Sequence, residues 1–230
     1  MVWFTTHEVG QDRSELAWRV RESMEFARYR PGNLHPDIMK MPGYSGREYR
    51  VFINRLLKWP QRRDPVRYLE VGAWQGSTLC SALYENHVAA TVIDNWSEFG
   101  GPKEQFHANL ARWKGEAEVR VLEQDFRTVD FASLGEHEVY LFDGPHEAQD
   151  QYDGIALALP ALTDEFVLIV DDWNWRRVRH GTDMARRKLG LKIDYAVEVR
   201  TTNDETHPPV WGPDSDWHNG YFIAVCTKGN

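Results

Sequence analysis

Val66-Arg67-Tyr68-Leu69-Glu70-Val71-Gly72-Ala73-Trp74-Gln75-Gly76-Ser77-Thr78 reads as a buried strand running into a glycine turn and then a helix. The apolar run ends at Glu70. Gly72 and Gly76 follow where a side chain would block a ligand approaching the backbone, and Ser77 opens the helix. A strand, turn and helix of this kind hold a nucleotide-like cofactor.

Outward from this unit, strand and helix patterns alternate. Strands are predicted at 66–71, 88–94, 117–123, 138–142 and 166–170, with helices at about 76–86, 102–114, 148–159 and 174–189. Such alternation predicts an α/β fold, a doubly wound, mostly parallel sheet wrapped by helices. Two further β-rich runs, 193–200 and 220–227, are joined by a polar loop without a helix and predict a terminal antiparallel pair on the sheet edge, seven strands in all. Upstream, Leu16, Ala17, Val20, Met24 and Ala27 recur at helical steps behind Ser14, an expected N-cap. Residues 30–46 hold three prolines and three glycines and read as an irregular connection before a helix over 48–59. The 230 residues thus read as one domain: an N-terminal helical cap (1–65), a cofactor-binding core (66–200), and a loop with the terminal strand (201–230).

Composition narrows the partners. A net charge of −8 argues against nucleic acid or an anionic membrane surface, both of which require a basic face, and points to a small molecule. No apolar run approaches the roughly 20 residues that span a bilayer, and residues 1–11 lack the features of a signal peptide, so a cytoplasmic location is expected. Cys80 and Cys226 have no ligand-spaced neighbours and read as core residues. Of ten tryptophans, Trp74, Trp96, Trp173, Trp175, Trp211 and Trp217 fall in predicted loops or turns, where some should line a pocket. Surplus aromatics and the amphipathic first helix leave room for a homodimer.

In a doubly wound sheet, ligands sit at the carboxyl ends of the strands. Those ends deliver Glu70, then Asp94-Asn95-Trp96, Asp125-Phe126, Asp143-Gly144-Pro145-His146 and Asp171-Asp172-Trp173 to one rim. Asp94 reads either as a carboxylate for a ribose diol or as a turn residue, and Asp125-Phe126 either as a pair flanking an adenine ring or as a strand-to-helix turn. Glu70, standing where a nicotinamide fingerprint has its first glycine, would repel a pyrophosphate and suits an amine-bearing, phosphate-free cofactor. Asp143, Asp171 and Asp172 would repel one another unless a divalent metal joins them. Oxygen ligands favour Mg²⁺ or Ca²⁺, and the alternative is that Asp172 caps a helix while Asp171 ends its strand. His146 reads as a general base, or as a residue orienting the metal ligands or capping the next helix.

On these residues the chain resembles the class I S-adenosylmethionine-dependent methyltransferases. Glu70-x-Gly72-x-x-x-Gly76 is similar to their first motif, Asp94 to their ribose-binding acid and Asp125-Phe126 to their adenine-flanking pair. Asp143, Asp171 and Asp172 resemble the metal ligands of the metal-dependent O-methyltransferases, and Phe142-Asp143-Gly144-Pro145-His146 resembles the Asp-Gly-x-His signature of the bacterial sugar and natural-product group. The catechol type has lysine at the position of His146 and asparagine at that of Asp172, which argues against a catechol acceptor. Met41-Pro42-Gly43-Tyr44-Ser45-Gly46 is similar to the segment that closes over the cofactor, and also reads as a surface turn. The loop 201–219 reads as a substrate lid or an exposed connection. The resemblance implies methyl transfer from S-adenosylmethionine to a hydroxyl of a small molecule, assisted by Mg²⁺ or a similar cation. The rivals are a metal-independent methyltransferase, a non-catalytic cofactor-binding subunit and, third, an NAD-dependent dehydrogenase.

Overall fold

The apolar strands recognised in the sequence form the middle of one eight-stranded sheet in the structure, a computed structural model describing residues 2–8 and 14–229. The chain begins with β1 (Trp3–Glu8), α1 (Glu15–Tyr29), α2 (Pro36–Met39) and α3 (Arg47–Leu56). The core follows as β2 (Val66–Val71), α4 (Ser77–Leu83), β3 (Val88–Ile93), α5 (Lys103–Trp113), β4 (Glu118–Leu122), β5 (His137–Phe142), α6 (Ala148–Ala158), β6 (Leu162–Asp171) and α7 (Arg176–Lys188). β7 (Lys192–Arg200) and β8 (Tyr221–Thr227) complete it.

The sheet order is β1-β7-β8-β6-β5-β2-β3-β4. Strands β4, β3, β2, β5 and β6 are parallel. From β2 the chain winds outward through β3 and β4, then returns to β5 on β2's other side, so strand order reverses between β2 and β5. That reversal opens a crevice at their carboxyl ends. Apolar side chains of α1, α3, α4 and α5 bury one face of the sheet, and those of α6 and α7 bury the other. Both faces of the central strands are therefore dry, which is why they read as continuous apolar runs.

The sequence reading of seven strands is corrected to eight. β1 pairs antiparallel with β7 over Trp3–Glu8, yet only Phe4 is even half-buried, so backbone pairing carries the strand and hydrophobic alternation does not announce it. The expected antiparallel pair of β7 and β8 is present, with β8 against β6, and β1 rather than β7 forms the outer edge. α2 is a single turn within the stretch read as irregular, started by Pro36 and capped by His35, whose Nδ1 accepts from the Asp37 amide. Ser14 does cap α1, its hydroxyl accepting from the Ala17 amide at 3.2 Å. The apolar face of α1 packs on α3 and is used within the chain. Among the described residues, no helix is long and apolar enough to cross a membrane.

Candidate functional site

The carboxyl ends of β2, β3, β5 and β6 surround a cavity of about 340 Å³. Gly72 makes the strand ends fit together. Its φ is 86°, and a Cβ there would stand 1.8 Å from the carbonyl oxygen of Asp143. The neighbouring backbone is locked by Gly72 N to Ile93 O and Asp143 N to Val71 O, each 2.9 Å. Gly76, with φ 81°, caps α4 and packs against Phe106, and it lies outside the cavity lining.

Glu70 is buried behind the turn and also lies outside the lining. Its Oε2 accepts from the Tyr68 hydroxyl at 2.7 Å, while Oε1 has no partner. Burial pushes its carboxyl up to about 8, helped by the charges of Asp143 and Asp94 against the pull of the Tyr68 bond. The expected negative charge facing the ligand is thus corrected: at neutral pH Glu70 holds its proton, because the sequence shows the residue type and not its desolvation.

Asp94 closes the turn from β3. Its Oδ2 accepts from the amides of Ala73 (2.7 Å) and Trp74 (2.8 Å), and Oδ1 from Trp96 (2.7 Å). Three of its lone pairs are therefore used by the backbone, and one on Oδ1 is left for a ligand. Asn95 Oδ1 accepts from Ser97, and the Trp96 indole donates to Trp74 O at 2.8 Å. Asp125 caps the turn after β4 by accepting from the Arg127 amide (2.9 Å), and Phe126 meets Phe142 edge-on at 5.3 Å. Ser77, Asp94, Asn95, Trp96, Asp125 and Phe126 all line the cavity.

At the other end, Asp143, His146 and Asp172 offer ligand atoms that lie within 4.8 Å of one another. His146 Nε2 stands 2.6 Å from Asp172 Oδ2, and Asn219 Nδ2 donates to Asp172 Oδ1 at 2.6 Å. Burial opposes the charge on Asp172, yet the His146 bond and charge and the Asn219 amide hold its carboxyl below the usual range. Burial likewise works against the His146 imidazolium, but Asp172 and then Asp143 raise its pKa. Asp143 is pushed up to about 7, first by burial and then by Asp172.

Asp171 stands against Asp143. Its carboxyl hydrogen-bonds that of Asp143, its Oδ1 has no other partner, and its pKa lies well above the carboxylate range through burial and the charges of Asp143 and Asp172. Asp143, His146 and Asp172 thus form a candidate ligand set, with the Asp171 carboxyl against Asp143 beside it. The cause is backbone geometry: Asp171 is still in β6, opposite Tyr221, whereas Asp172 turns out of the strand at φ 57° to reach His146.

Aromatic side chains form the rim. Tyr44 lies 4.7 Å from Trp74 and stacks on Trp211 at 5.9 Å, while Trp175 meets His146 (5.0 Å) and His207 (4.9 Å) edge-on. Both uncertain segments thus reach the cavity, through Tyr44 and Ser45 and through His207, Trp211 and His218. Four of the six loop tryptophans line it, whereas Trp173 and Trp217 are core residues. Sequence reasoning missed Glu98, Phe99 and Arg127, which follow strand ends in loops that no motif marks.

Residues 69–173 match the model of a family described as a methyltransferase domain. No curated protein matches the chain. Among solved structures, it resembles an S-adenosylhomocysteine-bound methyltransferase from Podospora anserina (TM-score 0.53, 14% identity, 97% of this chain and 90% of that one). A candidate caffeoyl-CoA O-methyltransferase from Staphylococcus aureus is similar (TM-score 0.50, 14% identity, 94% and 93% covered). So is TrmN from Thermus thermophilus (TM-score 0.50, 15% identity, 78% of this chain), of which this chain spans only 49%. At these identities the likenesses show the α/β Rossmann-like fold alone.

Proposed function

We propose that the chain transfers the methyl group of S-adenosylmethionine to a hydroxyl oxygen of a small molecule, with a divalent cation held by Asp143, His146 and Asp172. The observation that carries this reading is that these three side chains converge in the same cavity as the glycine turn, Asp94, Trp96 and Phe126. The donor chemistry fits a cation: among the described residues, no lysine or arginine bridges Asp143 or Asp172. Two carboxylates with one imidazole suit Mn²⁺ or Fe²⁺ as well as Mg²⁺, because the set is no longer all oxygen.

A cation bound there would polarise the acceptor hydroxyl and ease its deprotonation. The chain's own residues do the rest. With the cation bound, His146 would give one ring nitrogen to it in place of the 2.6 Å contact with Asp172 and serve as a ligand; it acts as the general base, oriented by Asp172 through Nε2, only without the metal. The free lone pair of Asp94 takes a ribose hydroxyl, Phe126 covers the adenine with Asp125 at its edge, and Asn95 and Trp96 complete that wall. Tyr44, Trp74 and Trp211 form a roof that excludes water and limits the acceptor's orientations. The O-methyltransferase among the structural neighbours is an analogy of fold.

The test is methyl transfer from isotope-labelled S-adenosylmethionine to a panel of phenols and sugars, read by mass spectrometry with and without EDTA. The expected result is a methylated hydroxyl whose formation stops on chelation and returns with Mg²⁺ or Mn²⁺. The 2.6 Å contact of His146 with Asp172 favours a second reading, a metal-independent methyltransferase in which this pair is the base and its orienter. Turnover that survives EDTA and disappears in His146→Ala selects it. Cofactor binding without turnover on any acceptor would leave a non-catalytic subunit.

A further inference from the structure

Arg50 on α3 is a fully buried guanidinium that has no carboxylate beside it among the described residues. Its Nε donates to Ser45 O (3.1 Å) and Ser45 Oγ (3.0 Å), and Nη1 to Ile38 O (2.7 Å) and Met39 O (3.3 Å). Nη2 has no partner. Burial lowers the pKa to about 10, so the charge persists at neutral pH. A buried cation without a counter-charge is costly, and its retention calls for an anion that completes the site.

The path to such an anion is built. Ser45 Oγ accepts from Arg50 and lies 3.0 Å from Ser77 Oγ, and either hydroxyl can donate in that pair, including Ser45 to Ser77. When Ser45 donates to Ser77, the Ser77 proton is free to point onward, and both serines line the cavity. Gly43 closes against the same spot: a Cβ there would stand 2.0 Å from Ser77 Oγ and 3.4 Å from Arg50 Nη2. Asp143 and Asp172 also line the cavity, so an anion is favoured beside the serines and Arg50 rather than beside those carboxylates.

We propose that Arg50, acting through Ser45 and Ser77, selects a carboxylate at this end of the cavity, the α-carboxylate of the cofactor's amino-acid portion, and is thus a positioning residue for the methyl donor. The inference rests on the reading that the cavity takes S-adenosylmethionine. Charge-assisted hydrogen bonds of this kind are about twice as strong as neutral ones, and the hydroxyl chain passes the polarisation on.

The test compares two probes by calorimetry: S-adenosylhomocysteine, and 5′-methylthioadenosine, which shares the nucleoside and thioether and lacks the amino acid. Wild type should prefer S-adenosylhomocysteine. Arg50→Met should weaken it by roughly tenfold or more while leaving methylthioadenosine within about twofold, and Arg50→Lys should recover part of the loss. Equal weakening of both probes, or of neither, overturns the inference. If Arg50→Met does not fold, Ser77→Ala provides the same readout: a narrowed preference supports the relay, and an unchanged one overturns it. Wild type binding both probes equally overturns the role of Arg50 alone, whereas binding neither overturns the methyl-donor reading and this inference with it.

Discussion

Replacing Glu70 with glutamine removes a buried ionisable group at almost constant volume, and the amide oxygen can keep the Tyr68 bond. In the fold this carboxyl titrates at about 8, against a reference of 4.5. Between those values the folded chain holds a proton that the unfolded chain releases, so stability is fully present below the unfolded pKa and is lost as pH rises through the folded one. Each pH unit in that window costs about 1.4 kcal/mol, and integration from pH 6 to pH 9 gives about 3 kcal/mol. In a chain of this length that corresponds to roughly 6–12 °C in melting temperature. Urea or thermal unfolding of both proteins in EDTA, at pH 6 and at pH 9, measures it. Wild type should lose about 3 kcal/mol more than Glu70→Gln over this range. Parallel curves would refute the claim that Glu70 is a neutral, desolvated acid behind the turn.

Gly72→Ala places a Cβ against the Asp143 carbonyl at a left-handed φ, and should cost roughly 2–5 kcal/mol from backbone strain and overpacking together. An unchanged melting temperature contradicts the strand-end packing. His146→Ala should lower methyl transfer by about 10²- to 10⁴-fold while leaving S-adenosylhomocysteine affinity near wild type. A matching loss of affinity would make His146 a structural residue of the cavity.

The sheet was legible wherever strands are buried on both faces. β2 begins and ends at Val66 and Val71, as its apolar run suggests, because parallel partners flank it on both sides. β1 was not legible: a mostly exposed strand held by backbone pairing has no hydrophobic period. Residue types at the strand ends identified the site, but their electrostatics depend on depth and turn geometry. Glu70 reads as a charge until its burial is known, and Asp94 reads as a ligand acid alone until the Ala73, Trp74 and Trp96 amides are seen to take three of its lone pairs. The meeting of His146 with Asp172 turns on one residue, Asp172, leaving β6 with positive φ. No spacing rule encodes that. Arg50 escaped notice for a similar reason, since an arginine within an amphipathic helix looks like a solvated residue until its surroundings are known.

The most direct measurement is diffraction from crystals grown with S-adenosylhomocysteine and Mn²⁺, with data collected near the manganese edge. The nucleoside should lie against Trp96 and Phe126 with its carboxylate at Ser77. One anomalous peak should stand at coordination distance, about 2.0–2.3 Å, from Asp143, His146 and Asp172. A nucleoside bound in this cavity with His146 still on Asp172 and no anomalous peak would contradict the metal-assisted account, and a nucleoside bound elsewhere would contradict the site itself.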